Sequence, residues 1–212
     1  GAKYAMDLAI RKATEHNVAA VGLVQAMHIG RLGEYAEMAA ASGCIGFVWA
    51  SGYGAEIPAA VPFGGRQPVL HTNPIAMGFP GGEEPPMALD FATTTIAGSK
   101  ARMAQGRGEQ IAPGALVDKE GVSTTDPAAF LGGGALLPFG GHKGYAIMLA
   151  NEYLGRLLTG ADSRVVEGRG TPVMRHQGVT MMAFRADLFQ PLADFTAGAD
   201  ALGRQMRAVP PA

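Results

Sequence analysis

Short apolar runs set between helical patterns constrain this chain most. Val18–Val24 is nearly all apolar and has the length of a buried strand, and Ile45–Ala50 is a second such run. Helical spacing surrounds them. Met6, Ala9, Ile10 and Ala13 give a helix over residues 3–16, and Asn17 suits its left-handed C-terminal cap. Leu32, Tyr35, Ala36 and Ala39 form the stripe of a second helix that Gly43 ends. The chain therefore opens as helix, strand, helix, strand, which is an α/β beginning. No apolar run reaches the roughly 18–20 residues that cross a bilayer, and no signal peptide is visible, so no membrane role is expected.

The rest is broken more often, as 31 glycines and 14 prolines require. Residues 51–68 read as loop, and His71-Thr72-Asn73-Pro74 as a turn. Met87–Phe91 reads as a short strand, Ala97–Gln105 as a helix, and residues 106–143 as a succession of turns. A long helix is expected over 143–159 with Gly160 beyond its end. Residues 161–176 are polar, Val179–Phe184 is a last strand, and Phe195, Ala199, Leu202 and Met206 mark a final amphipathic helix. There is no internal repeat.

The chain has 212 residues, enough for one sizeable domain or two small ones. With 48% hydrophobic and 17% charged residues it is expected to build a core, and a net charge of −1 argues against nucleic acid. Cys44 is the only cysteine, which excludes an intrachain disulfide and points to a reducing, cytoplasmic setting. The start at Gly1 in place of Met suggests processing or a cut end.

Chemistry concentrates at Pro138-Phe139-Gly140-Gly141-His142-Lys143-Gly144, which runs straight into the apolar helical pattern. Glycines allow close approach and positive φ, and a helix opening just after them offers free N–H groups and a positive dipole end. His142 and Lys143 both donate to anionic oxygen. This reads as a mouth for phosphate or carboxylate; the plain alternative is a glycine-rich turn with two surface cations. His28 follows the first strand in a loop with Gly30 and Gly33, a good place for acid–base work, or for a histidine satisfied by a backbone carbonyl. Asp90 closes an apolar strand ahead of Thr93, Thr94 and Thr95, suited to ribose, amide or phosphate, or to a plain capping turn. Lys100, taken singly, is a solvated lysine. The sequence lacks a His-Glu-x-x-His pair, a cysteine pair, a Gly-x-Ser-x-Gly elbow and the Gly-x-Gly-x-x-Gly fingerprint, so no metal site is expected and the usual Rossmann turn is missing.

Seven motifs in order resemble one family. They are His28-Ile29-Gly30-x-x-Gly33-x-Tyr35, Val61-Pro62-Phe63-Gly64-Gly65, Thr72-Asn73-Pro74-Ile75-Ala76, Asp90-Phe91-Ala92-Thr93-Thr94, Gly98-Ser99-Lys100, Thr125-Asp126-Pro127, and Gly134 through Tyr145. Together they resemble the type-2 malate/L-lactate dehydrogenases, a family that includes ureidoglycolate, sulfolactate and diketogulonate dehydrogenases and cyclic-imine carboxylate reductases. The resemblance implies an NAD- or NADP-dependent oxidoreductase that moves a hydride between nicotinamide and a small 2-oxo or 2-hydroxy acid, or a related cyclic imine. It implies an α/β (α+β) fold with a non-Rossmann dinucleotide-binding domain, whose mixed, largely antiparallel sheet is flanked by helices, and a homodimer. Carried over by position, His28 is the proton donor or acceptor. Asp90, Phe91, Ala92, Thr93, Thr94, Thr95 and Ile96 form a cofactor loop, His142 and Lys143 touch the cofactor, and Thr72 and Asn73 meet the substrate. Residues 1–44 are then a helix–strand–helix part of the substrate and dimer domain, 45–190 the NAD(P)-binding domain, and 191–212 a helix returning onto the first part.

Departures set a second expectation. The family's site also uses a His and an Arg from an N-terminal helical segment, and a Pro-Gly-Glu near the C-terminus, and neither is in this chain. Members are over a hundred residues longer, and many carry a serine where Ala26-Met27 precede His28. On this reading the chain is incomplete as a catalyst: a nucleotide- or anion-binding module that turns over slowly, or a structural piece of a larger assembly. It is expected to expose an apolar patch, or to bury one against a second chain.

Overall fold

The computed structural model describes residues 1–52, 57–166 and 176–211. In chain order the elements are α1 (Ala2–His16), β1 (Val18–Val24), α2 (Gly33–Ala41), β2 (Cys44–Ser51), β3 (Ile75–Phe79), β4 (Met87–Phe91), α3 (Gly98–Arg107), β5 (Leu116–Val117), β6 (Ser123–Thr124), α4 (Ala128–Leu131), β7 (Ala135–Leu136), α5 (His142–Asn151), β8 (Gly178–Arg185) and α6 (Leu192–Arg207). The stripe read from α1 is the one it buries, at Met6, Ala9 and Ala13, and Asn17 ends the helix at φ 73°. α5 does not run on as one α-helix to residue 159. It passes at Glu152 into a π-helical stretch, Glu152–Leu157.

Five strands form the main sheet in the order β1-β8-β2-β3-β4, and every ladder is antiparallel. A second, small antiparallel sheet has the order β6-β5-β7. The one parallel pairing among the described residues is the isolated bridge Ala60–Leu136. The fold is thus α/β, with antiparallel sheets flanked by helices.

α1 and α2 cover the sheet and fill the main core with small side chains: Met6, Ala9 and Ala36 meet Val48, Met181 and Ala183. Close approach is the design of this layer. A Cβ on Gly46 would stand 2.6 Å from that of Ala39, and one on Gly78 would stand 2.3 Å from the Ala36 carbonyl oxygen. This explains why β3 is not legible as a strand. Its glycine lowers strand propensity locally and is required only because α2 lies against it. A second core of Ala60, Leu70, Ala101, Leu116, Leu136 and Met148 joins the small sheet to α3 and α5.

The domain division expected at residue 44 meets a continuous sheet, because β8 lies between β1 and β2 and pairs with both. Toward the first part, the Leu192 side chain of α6 lies beside Gly43. Its polar anchor is elsewhere: the Asp200 carboxylate accepts the backbone N–H groups of Gly82, Glu83 and Glu84 at 3.0, 2.8 and 3.3 Å. Those bonds, led by the one from Gly82, hold the Asp200 carboxyl below the usual carboxylate range. Along the amphipathic stripe of α6, Phe195 and Ala199 are half-buried while Leu202 and Met206 are 55% and 60% exposed. No helix among the described residues is long and apolar enough to cross a membrane.

Candidate functional site

A cavity of about 400 Å³ opens where β2, the Thr72–Pro74 turn, α3 and the loop after β1 meet, with His28, Ser51, His71, Asn73, Arg102 and Phe130 in its lining. The loop that delivers His28 is held at several points. Gln25 turns the chain out of β1 at φ 52°, a left-handed conformation uncommon outside glycine. The Tyr35 hydroxyl donates to the Ile29 carbonyl, and the Gly33 N–H donates to Asp90 Oδ2 at 2.7 Å. The Gly30 N–H donates to His28 Nδ1 at 3.2 Å. A neutral His28 with that acceptor carries its proton on Nε2.

Beneath the cavity lies a dense polar network, in which the buried Asn151 Oδ1 lacks a partner among the described residues. Asn73 is 3% exposed and donates through Nδ2 to the Met148 carbonyl at 3.0 Å and to Glu152 Oε1 at 2.9 Å. Its Oδ1 accepts from the Thr93 hydroxyl, and its carbonyl accepts from Asn151 Nδ2 at 2.7 Å. Glu152 also accepts from the Ser51 hydroxyl, and Arg156 Nη1 stands 3.6 Å from its other oxygen. The π-helical turn makes this geometry. It brings Gly155 so close to β2 that a Cβ there would lie 2.8 Å from the Ser51 nitrogen.

Three of the motifs singled out in the sequence lie side by side. The Thr93 N–H donates to the Thr72 carbonyl at 3.1 Å, and the Phe139 N–H donates to the Thr93 carbonyl at 3.0 Å. The Thr95 N–H reaches the Leu137 carbonyl at 2.9 Å, and Thr94 bridges to Pro138. Within the expected cofactor loop the side chains have different employments. Thr93 and Thr94 are buried, and the Thr94 hydroxyl donates to the Ile96 carbonyl at 2.7 Å. Phe91 is exposed and meets Phe139 edge to face at 5.3 Å, while Ala92 and Ile96 are half-buried and Thr95 is exposed. Asp90 caps the start of α2 from the end of β4, outside the cavity lining.

At the mouth of α5, Gly140 and Gly141 take φ of 57° and 64°, and a Cβ on Gly144 would lie 1.7 Å from the Phe139 oxygen. The helix opens at His142 with no side-chain cap, so the N–H groups of its first turn face outward. His142 packs edge to face on Phe63 at 5.9 Å. Lys143 is exposed and has no ion pair among the described residues. His28, Thr72 and Asn73 therefore share the cavity, whereas Asp90, His142 and Lys143 do not line it. Among the described residues no three His, Cys, Asp or Glu side chains converge on a point where a metal ion could sit.

Sequence reasoning missed His71 and Arg102. His71 was read only as part of a turn, yet burial, and then the Arg102 charge, push its pKa down to about 4, so it is neutral at neutral pH. Arg102 sits over the Phe130 ring at 5.4 Å, one helical turn beyond Gly98. The one available signal was that spacing after a glycine at a helix start.

Comparison with known proteins places these features in context. The chain is 44% identical over 158 residues to hydroxycarboxylate dehydrogenase B of Escherichia coli (strain K12), covering 74% of this chain and 43% of that enzyme. Its fold matches sulfolactate dehydrogenase from Methanocaldococcus jannaschii with a TM-score of 0.86 at 36% identity, over 100% of this chain and 60% of that one. It matches Δ1-piperideine-2-carboxylate reductase from Pseudomonas syringae pv. tomato with a TM-score of 0.84 at 33% identity, over 98% and 62%. The chain spans about half the length of the curated relatives it matches. The family model described as malate/L-lactate dehydrogenase matches residues 1–212, so the chain belongs to the malate/L-lactate dehydrogenase family.

Proposed function

We propose that this chain carries the core of an NAD- or NADP-dependent dehydrogenase for a small 2-hydroxy or 2-oxo acid, or a related cyclic imine. One observation carries the reading: His28, a side chain suited to moving a proton, stands in the wall of the cavity. The donor set fits a dinucleotide. An uncapped helix start, His142 and Lys143, which has no ion pair among the described residues, offer N–H groups and positive charge to phosphate oxygen. The Thr72–Thr93–Phe139 ladder ties that mouth to the cavity, so one rigid unit can bind phosphate at one end and hold the reacting acid at the other. The bound nicotinamide supplies the hydride. The protein's share is to orient the acid, exclude water and hold a proton at His28 Nε2. The exposed Leu202 and Met206 of α6 support a homodimer as the working form.

The test is direct. Melting temperature is measured with NADH and with NADPH at millimolar concentration, and turnover is then screened with 2-oxo acids and cyclic imines. A nucleotide-dependent shift with turnover is expected. A shift without turnover on any substrate marks a nucleotide-binding module, and no shift with either nucleotide sinks the reading.

A further inference from the structure

Resting on the proposed dehydrogenase reading, we propose that Tyr35 is a positioning residue for proton transfer: its hydroxyl, through the peptide that joins Ile29 to Gly30, sets the orientation of the His28 ring. Two hydrogen bonds lead there. The Tyr35 hydroxyl donates to the Ile29 carbonyl, and the Gly30 N–H donates to His28 Nδ1 at 3.2 Å. That carbonyl and that N–H belong to one planar peptide unit, so the hydroxyl that grips its oxygen also aims its hydrogen. The chain runs from hydroxyl to peptide to imidazole, and each bond polarises the next. The peptide needs such a grip. Gly30 sits at φ 85°, where glycine turns at little steric cost, and a glycine peptide released from its partner can rotate. Ile29 and Gly30 line the cavity together with His28, so the linked unit forms part of the wall.

Tyr35 is itself held from the core side. It stands in the first turn of α2, is 7% exposed and belongs to the main core with Met6, Ala36 and Val48. Ala26 and Ile29, on either side of His28, pack against the same core. Burial pushes the Tyr35 phenol above its usual pKa, so the hydroxyl keeps its proton and stays a donor at neutral pH. The start of α2 is fixed in turn by Asp90, whose Oδ2 accepts the Gly33 N–H at 2.7 Å. A Cβ on Gly33 would stand 3.2 Å from that of Asp90, so the approach is close. The Arg31–Glu37 ion pair also ties the loop to α2, but at the surface, where solvent leaves such a pair little effect. A ring anchored in the core thus reaches one polar atom out to the peptide beside His28. Phenylalanine would keep the packing and lose the aim.

Tyr35→Phe tests this, because it deletes one oxygen and leaves the ring in the core. Turnover of 2-oxo acids by the nucleotide-saturated protein is measured for wild type, Tyr35→Phe, His28→Ala and the double variant, with the KM of the acid and the nucleotide dissociation constant. The nitrogen resonances of the His28 imidazole give its tautomer in wild type and in Tyr35→Phe. Tyr35→Phe should lower kcat roughly 5- to 50-fold, the scale of a catalytic group left slightly out of place, while the KM and the nucleotide constant move by less than about twofold. Its neutral His28 should show a larger share of the Nδ1–H tautomer, since Nδ1 has lost its donor. In the His28→Ala background the hydroxyl should matter by less than about twofold, because it acts only through that ring. An unchanged kcat in Tyr35→Phe overturns the proposal. An equal loss in both backgrounds overturns it too and makes the hydroxyl a support of the fold alone. An unchanged tautomer balance overturns it whatever the kinetics. Wild-type protein that binds neither NADH nor NADPH, or turns over no acid, sinks the dehydrogenase reading, and the hold of Tyr35 on the ring is then decided by the tautomer spectra.

Discussion

The wall of the cavity and its floor use the same kinds of side chain in opposite ways. In the floor, the Asn73 amide is engaged by Met148, Glu152 and Thr93, and Glu152 is met from the other side by Ser51. In the wall, Arg102 has a ring beneath it and no counter-charge among the described residues, and His28 is engaged there at Nδ1 alone. Engaged polar groups fix a shape, because breaking one strands its buried partner. Open ones keep their hydrogen-bonding capacity for a ligand. The contrast sorts residues that sequence reasoning had put together: His28 and Asn73 both line the cavity, but the Asn73 amide is taken up by the floor, whereas His28 is engaged at one nitrogen among the described residues.

The largest expected effect tests the wall. His28→Ala should cut turnover by roughly 10²- to 10⁴-fold with little change in nucleotide affinity, the usual share of a placed proton-transfer group. A loss of less than about tenfold, read in steady-state assays, would move the proton to another group.

The floor gives the next. Asn73→Ala removes both contacts of Asn73 Nδ2 and the Thr93 contact to its Oδ1, and leaves Glu152, 8% exposed, with only Ser51 and its ion pair to Arg156. Unfolding free energy should fall by about 2–4 kcal/mol, the scale for a buried charge stripped of a partner. Denaturant melts would show this. If stability holds while acid affinity collapses, the floor is contacting the ligand and the contrast between the two regions is wrong.

Much of the floor and little of the wall was legible in the sequence. The elements α1, β2 and β8 stand where apolar spacing puts them, because each buries a face that its own pattern declares; β1, read as a buried strand, lies instead at the edge of the sheet with its residues alternately exposed and half-buried. The Thr72-Asn73-Pro74, Asp90–Thr95 and Leu137–Gly141 segments were recognisable as motifs, though their lying side by side was not. β3 and the π-helical turn escaped, since Gly78 and Gly155 answer to neighbours far away in sequence, Ala36 and Ser51. His71, Arg102 and Phe130 escaped for the same reason. Their convergence is a tertiary fact, and a lone arginine on a weakly amphipathic helix looks like any solvated cation. α6 shows the reverse limit: the pattern declares one apolar face, yet only Phe195 and Ala199 are half-buried and Leu202 and Met206 are exposed.

The contrast within the wall itself can be sharpened by pH. His71 has a folded pKa of about 4 against an ordinary value of 6.5, so the unfolded chain takes up the proton first as pH falls. Stability is full above about pH 6.5 and is lost progressively down to about pH 4, by as much as roughly 3 kcal/mol at 1.4 kcal/mol per unit. His71→Gln should flatten the fall in melting free energy across that window. An unchanged slope would mean that His71 is not held neutral, and the wall would then gain a positive charge at mildly acid pH.

The smallest expected effect lies at the α5 mouth, which resembles the wall in having unspent donors but lies outside the cavity lining. Lys143 stands at the first turn of an uncapped helix, where its ammonium and the helix dipole favour the same anion. Exposure keeps that contribution modest, because solvent and salt screen a surface charge. Lys143→Ala should weaken NADH or NADPH by roughly 1–3 kcal/mol, the scale of one charged hydrogen bond, and the loss should shrink as salt rises. Affinity for oxamate, an unreactive mimic of a 2-oxo acid, should stay within about twofold, since Lys143 does not line the cavity. Calorimetric titration of both ligands on the same variant reads the two sites separately. An unchanged nucleotide constant would remove Lys143 from the cofactor site. A parallel loss of oxamate and nucleotide would mean that mouth and cavity act as one site, and that openness alone does not tell the cofactor's end from the acid's.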